Sequence, residues 1–247
     1  MIDPLPVPAS FADRCSEIGV ELEPGETDQI GRYLALLLDA NARVNLTAIK
    51  TPDAAWDRHA LDALTLLGVL ADCEPKGDRL SIADVGTGGG VPGIIIAVAR
   101  PDADVTLIDA TAKKTAFLET AVDALGLTNC RVVTGRAEDL GAFQTPGGRG
   151  EMRDAFDVVV ARAVARVAVA SELCVPLARE LGRVILVKGA KAPEELEDAK
   201  RALYELHAVP LGIVETPTGR LVVIEKTRRT PKRFPRRSGE PARCPIG

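Results

Sequence analysis

From Asp78 onward the chain alternates between two kinds of hydrophobic pattern. Short, nearly continuous apolar runs are separated by longer stretches in which apolar residues return every three or four positions. The runs have the length of strands buried on both faces, and the longer stretches have the period of helices. Strands are predicted at 80–85, 105–109, 130–134, 156–161 and 183–187, with helices at 92–100, 112–125, 167–181 and 193–207 between and after them. This order predicts a parallel sheet covered by helices on both sides. The ending differs, because strands 208–215 and 220–226 are joined only by Thr216-Pro-Thr-Gly219, a turn short enough for an antiparallel hairpin.

Ahead of this unit the pattern is helical. After Gly25-Glu-Thr, the residues Ile30, Leu34, Leu37 and Leu38 recur at helical spacing and predict one face buried against the main body. Thr51-Pro52 reads as a cap followed by a proline in the first turn, opening a second helix that runs to about Leu70. Between them, Asn41-Ala-Arg-Val-Asn45-Leu-Thr47-Ala-Ile shows no clear period. The chain therefore divides into an N-terminal helical extension (1–77), an α/β domain (78–226) and a proline-rich tail (227–247). Residues 141–153, with Thr-Pro-Gly-Gly-Arg-Gly, are expected to form a mobile loop.

The candidate chemistry lies where the first strand meets its helix, at Asp84-Val-Gly86-Thr-Gly88-Gly-Gly90-Val91-Pro92-Gly93. Glycines there let backbone approach a ligand closely and permit positive φ. Pro92 suits a first helical position, and the unpaired N–H groups of the helix start are expected to face the ligand. The loop matches both a dinucleotide fingerprint and the loop of S-adenosylmethionine (AdoMet) enzymes. Three strand ends favour AdoMet: Asp84 before the first glycine, Asp109 closing the second strand at roughly the ~20-residue spacing of a ribose-binding acid, and Glu138-Asp139 after the third. Five parallel units and a hairpin also match the Rossmann-like, seven-stranded AdoMet methyltransferase sheet. No phosphate-binding Gly-x-x-x-x-Gly-Lys-Ser/Thr loop occurs.

Composition narrows the class further. Hydrophobic residues make up 46% and charged residues 27% of the 247, which is the balance of a soluble globular chain. No apolar run approaches the ~20 residues of a membrane span. The N-terminus shows no basic region followed by an apolar one, so no signal peptide and a cytoplasmic location are expected. Cys15, Cys73, Cys130, Cys174 and Cys244 are scattered without Cys-x-x-Cys spacing, so reduced buried thiols are expected and neither a metal site nor a disulfide framework. The tail holds Arg228, Arg229, Lys232, Arg233, Arg236, Arg237 and Arg243 against Glu240, a balance of +6 in a chain of net charge −4, which leaves about −10 for residues 1–226. A basic arm on an acidic body predicts a polyanionic partner.

Methyl transfer leaves the acceptor to be found by elimination. The Asp/Asn-Pro-Pro-aromatic loop typical for exocyclic amines is replaced after the fourth strand by Val160-Ala-Arg162-Ala-Val-Ala-Arg166. The Pro-Cys or Thr-Cys nucleophile typical for cytosine carbon-5 is missing from the sequence. A ring nitrogen with a free lone pair, such as N7 of guanine, needs no general base, so catalysis reduces to positioning and electrostatics.

Several motifs in order, Asn45-Leu-Thr-Ala-Ile, Arg58-His59-x-x-Asp62, the glycine loop, Arg136-Ala-Glu138, Ala161-Arg162-Ala-Val-Ala and Leu221-Val-Val-Ile, resemble the bacterial 16S rRNA guanine-N7 methyltransferases of the RsmG (GidB) family. The resemblance runs from about residue 25 to the end, where Thr230-Pro-Lys-Arg-Phe-Pro-Arg-Arg-Ser-Gly is similar to the basic tail of some members. It implies AdoMet-dependent formation of 7-methylguanosine in small-subunit rRNA, with rRNA or the 30S subunit as partner, no metal and a monomeric chain. By the same resemblance Gly86, Gly88 and Val91 hold AdoMet through the loop, Asp109, Ala110 and Thr111 line its ribose side, Ala137 and Glu138 meet adenine, and Arg162 closes the site. Gly89 stands where many members have proline, a change expected to alter loop stiffness.

Other readings stand beside these. An NAD-dependent oxidoreductase and a non-catalytic RNA-binding protein with a vestigial cofactor pocket are the alternatives at the level of function. Arg58 and Asp62 are either site residues or an ordinary i,i+4 surface pair. His59 either packs beside Trp56 or works near the acceptor, which makes it a catalytic candidate with Arg162. Lys188 could meet RNA phosphate or solvent, and His207 is expected to complement a helix C-terminus. Arg162 differs from these, because an arginine in an apolar strand-to-helix turn requires an anionic partner, expected to be the AdoMet carboxylate or RNA.

Overall fold

The computed structural model describes residues 2–143 and 150–247. The part of the expected mobile loop at 144–149 lies outside the described residues. Helix α1 (Phe11–Glu17) precedes α2 (Pro24–Val44), whose buried side carries Ile30, Leu34 and Leu37. Glu23 and Glu26 form a reciprocal capping box at the start of α2, and Asn45 ends it in the left-handed region. The second predicted helix is continuous but not uniform: α3 (Pro52–Ala55) passes into a π-helical stretch (Trp56–Leu61), then α4 (Asp62–Leu64) and α5 (Leu66–Ala71). A π stretch has a wider turn than an α-helix and shifts which residues share a face. Here Arg58 is exposed while His59 and Asp62 are buried.

The α/β unit follows as β1 (Leu80–Val85), α6 (Gly93–Ala99), β2 (Ala103–Asp109), α7 (Ala112–Leu125), β3 (Cys130–Thr134), α8 (Ala137–Leu140), β4 (Phe156–Arg162), α9 (Val167–Cys174), β5 (Ala178–Lys188), α10 (Ala192–Asp198), α11 (Lys200–Leu206), β6 (Ala208–Thr216) and β7 (Gly219–Lys226). They build one seven-stranded sheet in the order β3-β2-β1-β4-β5-β7-β6. The first five strands are parallel, and β7 inserts antiparallel between β5 and β6. The expected Rossmann-like sheet with a terminal hairpin is therefore the observed one.

Residues on β4 show why 158–161 reads as an unbroken apolar run: Val158 and Val160 join the core on one face, and Val159 and Ala161 the core on the other. The first core unites α2, the π stretch, α6 and α7, and the second lies under α9 and α11. Three boundaries depart from expectation, one of them the break at Ala199 that divides the helix predicted over 193–207 into α10 and α11. Helix α9 stops at Cys174 rather than at 181, because Pro176 offers no N–H to continue it, and β5 begins three residues earlier than the predicted helix ends. Pro92 is the residue before α6, not its first helical residue.

The tail does not hang free. Arg153 donates to the carbonyls of Gly141, Thr230 and Phe234, and the Phe234 ring is buried in the second core. A short final helix, α12 (Glu240–Arg243), closes the chain.

The N-terminal helices share their core with the sheet, so they should not unfold separately. Trp56, 1% exposed, packs edge-on against Phe11 at 4.6 Å between ring centroids. Trp56→Ala is expected to lower the unfolding free energy by ~3–5 kcal/mol in a single transition followed by fluorescence-independent probes such as circular dichroism. A separate early transition confined to the N-terminal helices would contradict the shared core.

Candidate functional site

The site begins at the C-terminal edge of β1. Asp84 is fully buried, and its Oδ2 accepts hydrogen bonds from the Thr87 hydroxyl (2.6 Å) and the Gly93 amide (2.8 Å). Burial pushes its carboxyl up to about 6, against the pull of those two donors. The amides of Gly86 and Thr87 both donate to Ile108 O, which ties the loop to β2. At Gly86, φ is +67° and a Cβ would stand 2.8 Å from Val164. At Gly93 a Cβ would stand 2.2 Å from Leu107 and 2.8 Å from the Asp84 carboxylate, so α6 packs on the strands only with a hydrogen there.

This corrects the expectation for the helix start. The Gly93 amide is taken by Asp84, and the Ile94 amide by Gly90 O, so neither faces a ligand. The Gly89 position also has a local explanation: a Cβ there would stand 2.7 Å from Leu37 of α2, whose side chain fills that space, and Tyr33 donates to Gly89 O.

Two cavities adjoin the loop, one of about 350 Å³ and one of about 330 Å³, and Gly86 lines both. The second is walled by Asp109, Ala110, Thr111, Ala137 and Glu138, the residues expected on the ribose and adenine side. Gly88, Val91, His59 and Arg162 line the first, together with Leu37, Leu46, Thr47 and Ile49. Asp109 is buried, its two oxygens accepting the amides of Gly88 (3.0 Å) and Thr111 (2.8 Å), with Lys114 Nζ at 3.7 Å. It braces the loop as well as facing the cavity. Glu138 Oε1 accepts the Gly239 amide at 2.8 Å, and its Oε2 has no partner among the described residues. Two carboxylates and a glycine backbone around one cleft suit a nucleoside's hydroxyls and amine, so the residues present fit AdoMet.

Thr47, His59 and Arg162, which line the first cavity, belong to a polar chain that continues to Asp62 and Thr218. Arg162 Nη2 stands 3.1 Å from His59 Nδ1, and Nη1 stands 3.0 Å from Asp62 Oδ2. A guanidinium can only donate, so Nδ1 is the acceptor and His59 carries its hydrogen on Nε2, which donates to Thr47 Oγ1 at 2.9 Å. Burial first, and then the Arg162 charge, lower the His59 pKa to about 4. Thr218 closes the chain, its hydroxyl donating to Asp62 Oδ1 at 2.6 Å.

Arg162 thus finds its anion inside the protein, in Asp62, and Arg58 and Asp62 do not form the surface pair that was the alternative. Sequence reading missed Thr47 and Thr218, and missed Asp62 as the partner of Arg162. Thr47 lies in a quoted motif, but nothing local marks a hydroxyl whose partner is a histidine on another helix. Lys188 is also engaged internally, with Glu195 at 3.0 Å and with Ala165 O, rather than held for phosphate. His207 ends α11 in the left-handed region, with its Nδ1 2.8 Å from Arg229 O. Cys15, Cys130 and Cys174 are buried free thiols, whereas Cys244 is exposed. Among the described residues no group of His, Cys, Asp and Glu could hold a metal ion, and no helix is long and apolar enough to cross a membrane.

Residues 26–223 match the family model described as rRNA small subunit methyltransferase G. The chain is 45% identical over 234 residues to the ribosomal RNA small subunit methyltransferase G of Sorangium cellulosum, covering 95% of this chain and 94% of that one. The protein of the same name from Lactobacillus delbrueckii subsp. bulgaricus is 38% identical over 245 residues, covering 97% and 99%. In fold, the chain resembles a Corynebacterium glutamicum protein (TM-score 0.53, 16% identity, 89% of this chain and 97% of that one). It also resembles the branched-chain polyamine synthase of Thermus thermophilus (TM-score 0.53, 18% identity, 84% and 65%).

The buried histidine has a measurable linkage. Its pKa falls from an unfolded 6.5 to about 4, so between these values the unfolded chain binds the proton that the folded chain refuses. Stability from this group is intact above pH 6.5 and is lost as pH falls toward 4. Asp84 works in the opposite sense over nearly the same range, because its raised pKa favours the folded state as pH falls from 6. Removing the histidine should expose its share: relative to His59→Asn, the wild-type chain should lose ~3 kcal/mol between pH 6.5 and 4, and nothing above 6.5, in urea titrations. A wild-type-to-variant difference that stays constant with pH would show that His59 is not held neutral.

Proposed function

The chain belongs to the rRNA small subunit methyltransferase G family, an AdoMet-dependent methyltransferase of small-subunit 16S rRNA, and we propose that the atom it methylates is N7 of a guanine. The single observation that carries the choice of atom is the state of His59. One of its nitrogens is engaged by Arg162 and the other by Thr47, and its pKa is lowered to about 4, so it has no lone pair free to take a proton near neutral pH. An acceptor that must lose a proton would be poorly served here. Guanine N7 has an in-plane lone pair and loses none. The oxidoreductase and non-catalytic readings gain nothing from the family.

In this reading Asp109 and Glu138 hold the ribose and adenine of AdoMet, and Gly86 and Gly88 let it lie against the loop backbone. AdoMet, when bound, supplies an electrophilic methyl group on a sulfonium. Leu37, Leu46, Ile49 and Val91 offer apolar walls of the first cavity to a flat base. Arg162, locked by Asp62 and His59, orients the acceptor, and a neutral His59 adds no second positive charge beside a base that becomes cationic. A monomeric chain belongs to the same proposal. Small-subunit rRNA, free or within the 30S subunit, as partner and a cytoplasmic location also belong to it.

The test is mass spectrometry of 16S rRNA nucleosides after single turnover with small subunits that lack the modification. 7-Methylguanosine is expected, and a methyl group on any other atom would overturn the assignment. His59→Asn, which keeps an acceptor for Arg162, should retain turnover within about tenfold, whereas Arg162→Ala should lose at least ~100-fold by releasing the acceptor from its geometry. Loss of turnover in a folded His59→Asn chain that still binds AdoMet would point to a proton-transfer role instead.

Asp109 carries a separate expectation. Asp109→Ala removes a ribose acceptor and also the support of the Gly88 amide, so calorimetry should find AdoMet affinity weakened at least ~tenfold. Unchanged affinity in the folded variant would remove Asp109 from the cofactor site.

A further inference from the structure

Glu172 of α9 is 1% exposed, in a helix that packs into the second core. A carboxylate in that setting requires a partner that satisfies both oxygens. The partner is supplied wholly by the tail. The Arg236 amide donates to Oε1 at 2.9 Å, Nε to Oε1 at 2.8 Å, and Nη2 to Oε2 at 2.6 Å. Arg236 Nη1 also donates to Cys244 O at 2.8 Å, so the same guanidinium fastens the last residues around α12. The fork geometry of arginine satisfies a carboxylate with two parallel bonds and leaves a donor over, which lysine cannot reproduce.

Three residues beyond this anchor the tail meets the cofactor cleft. Gly239 adopts φ +80°, and its amide donates to Glu138 Oε1 at 2.8 Å; the Ser238 hydroxyl donates to Asp139 Oδ2 at 3.1 Å. Glu138 lines the second cavity with its other oxygen unpartnered among the described residues. Leu173, next to Glu172 in sequence, lines the same cavity. The anchor and the cleft are therefore mechanically joined on both sides, through α9 and through the tail.

We propose that residues 236–239 form a strap that belongs to the AdoMet site, in which Glu172 and Arg236 are positioning residues that hold the Gly239 amide against Glu138. The amide fixes which Glu138 oxygen faces the cleft, so the carboxylate is oriented before the ligand arrives and the cost of ordering it is not drawn from binding. One of the tail's seven basic side chains is thereby committed inward, and the strap makes the tail part of the nucleoside end of the site. The inference rests on the AdoMet reading.

Calorimetric titration of the full-length protein tests it, with AdoMet and, separately, with 5′-methylthioadenosine, which keeps the adenine and ribose but lacks the methionine end. Arg236→Gln is expected to weaken both ligands about tenfold and equally, and Arg236→Lys to recover only part of the loss. In a Glu138→Gln background, Arg236→Gln should weaken binding little further, because the strap acts through that carboxylate. Glu172→Gln keeps the shape of the anchor but removes its charge from the α9 side, leaves the Gly239 backbone and Glu138 as they are, and should reproduce the tenfold loss even if Arg236→Gln does not fold. Full affinity in folded Arg236→Gln or Glu172→Gln, or losses that simply multiply with Glu138→Gln, would overturn the strap and reduce the pair to a structural role. A wild-type chain that binds neither ligand would instead overturn the cofactor reading, and the strap with it.

Discussion

At the end of the first strand one carboxylate oxygen, Asp84 Oδ2, accepts hydrogen bonds from both the Thr87 hydroxyl and the Gly93 amide. The rest of the cleft is arranged around that pair of bonds. They draw the glycine loop and the start of α6 onto a side chain buried in the core, and the absence of a Cβ at Gly93 allows the approach. A second carboxylate, Asp109, then supports the outer turn of the loop through the Gly88 amide. The first two amides of α6 are taken up in holding the loop, which leaves side chains at the strand ends, Asp109 and Glu138 among them, to face the second cavity. In an open parallel sheet those ends lie along one edge, where the strands point and the loops can diverge.

The first cavity is organised by an equally constrained charge. Arg162 leaves β4 into an apolar turn and is neutralised by Asp62 from the helix that contains the π stretch. The other arm of the same guanidinium, at His59 Nδ1, fixes the tautomer of His59 and directs its Nε2 hydrogen to Thr47. The N-terminal helices are thus more than a cover for the sheet: α2, the loop after it and the π stretch furnish one wall of the first cavity. A buried ion pair of this kind contributes geometry more than stability, because the cost of desolvating both ions offsets much of their attraction.

At the opposite end of the cleft the tail contributes in a similar way. Arg153 pins residues 230–234 by their carbonyls, and Arg236 satisfies the buried Glu172. A segment whose composition suggests a solvated basic arm is therefore partly structural. Its remaining basic residues, among them Arg228, Lys232 and Arg237, are exposed and keep the charge expected to attract a polyanion.

The seven strands, the main helices between them and the sheet edge that lines the candidate site were legible in the amino-acid sequence, because each has a local cause. A strand buried on both faces must be apolar along its buried length, as 158–161 is. A loop that packs against neighbouring strands must be glycine-rich. Acids at successive strand ends must meet at one edge of a parallel sheet. Pairings between distant residues have no such local signature. Asp62 and Thr218 lie 156 residues apart, and Glu172 and Arg236 lie 64 apart, and any of several arginines could have served each carboxylate until packing brought one guanidinium into line. The charge on Arg162 demanded an anion, which sequence could state. Which anion it would be depended on a π stretch that turned Asp62 inward and left Arg58 in solvent, and that choice is made by tertiary packing, since only burial decides which of two neighbouring charges must find a partner.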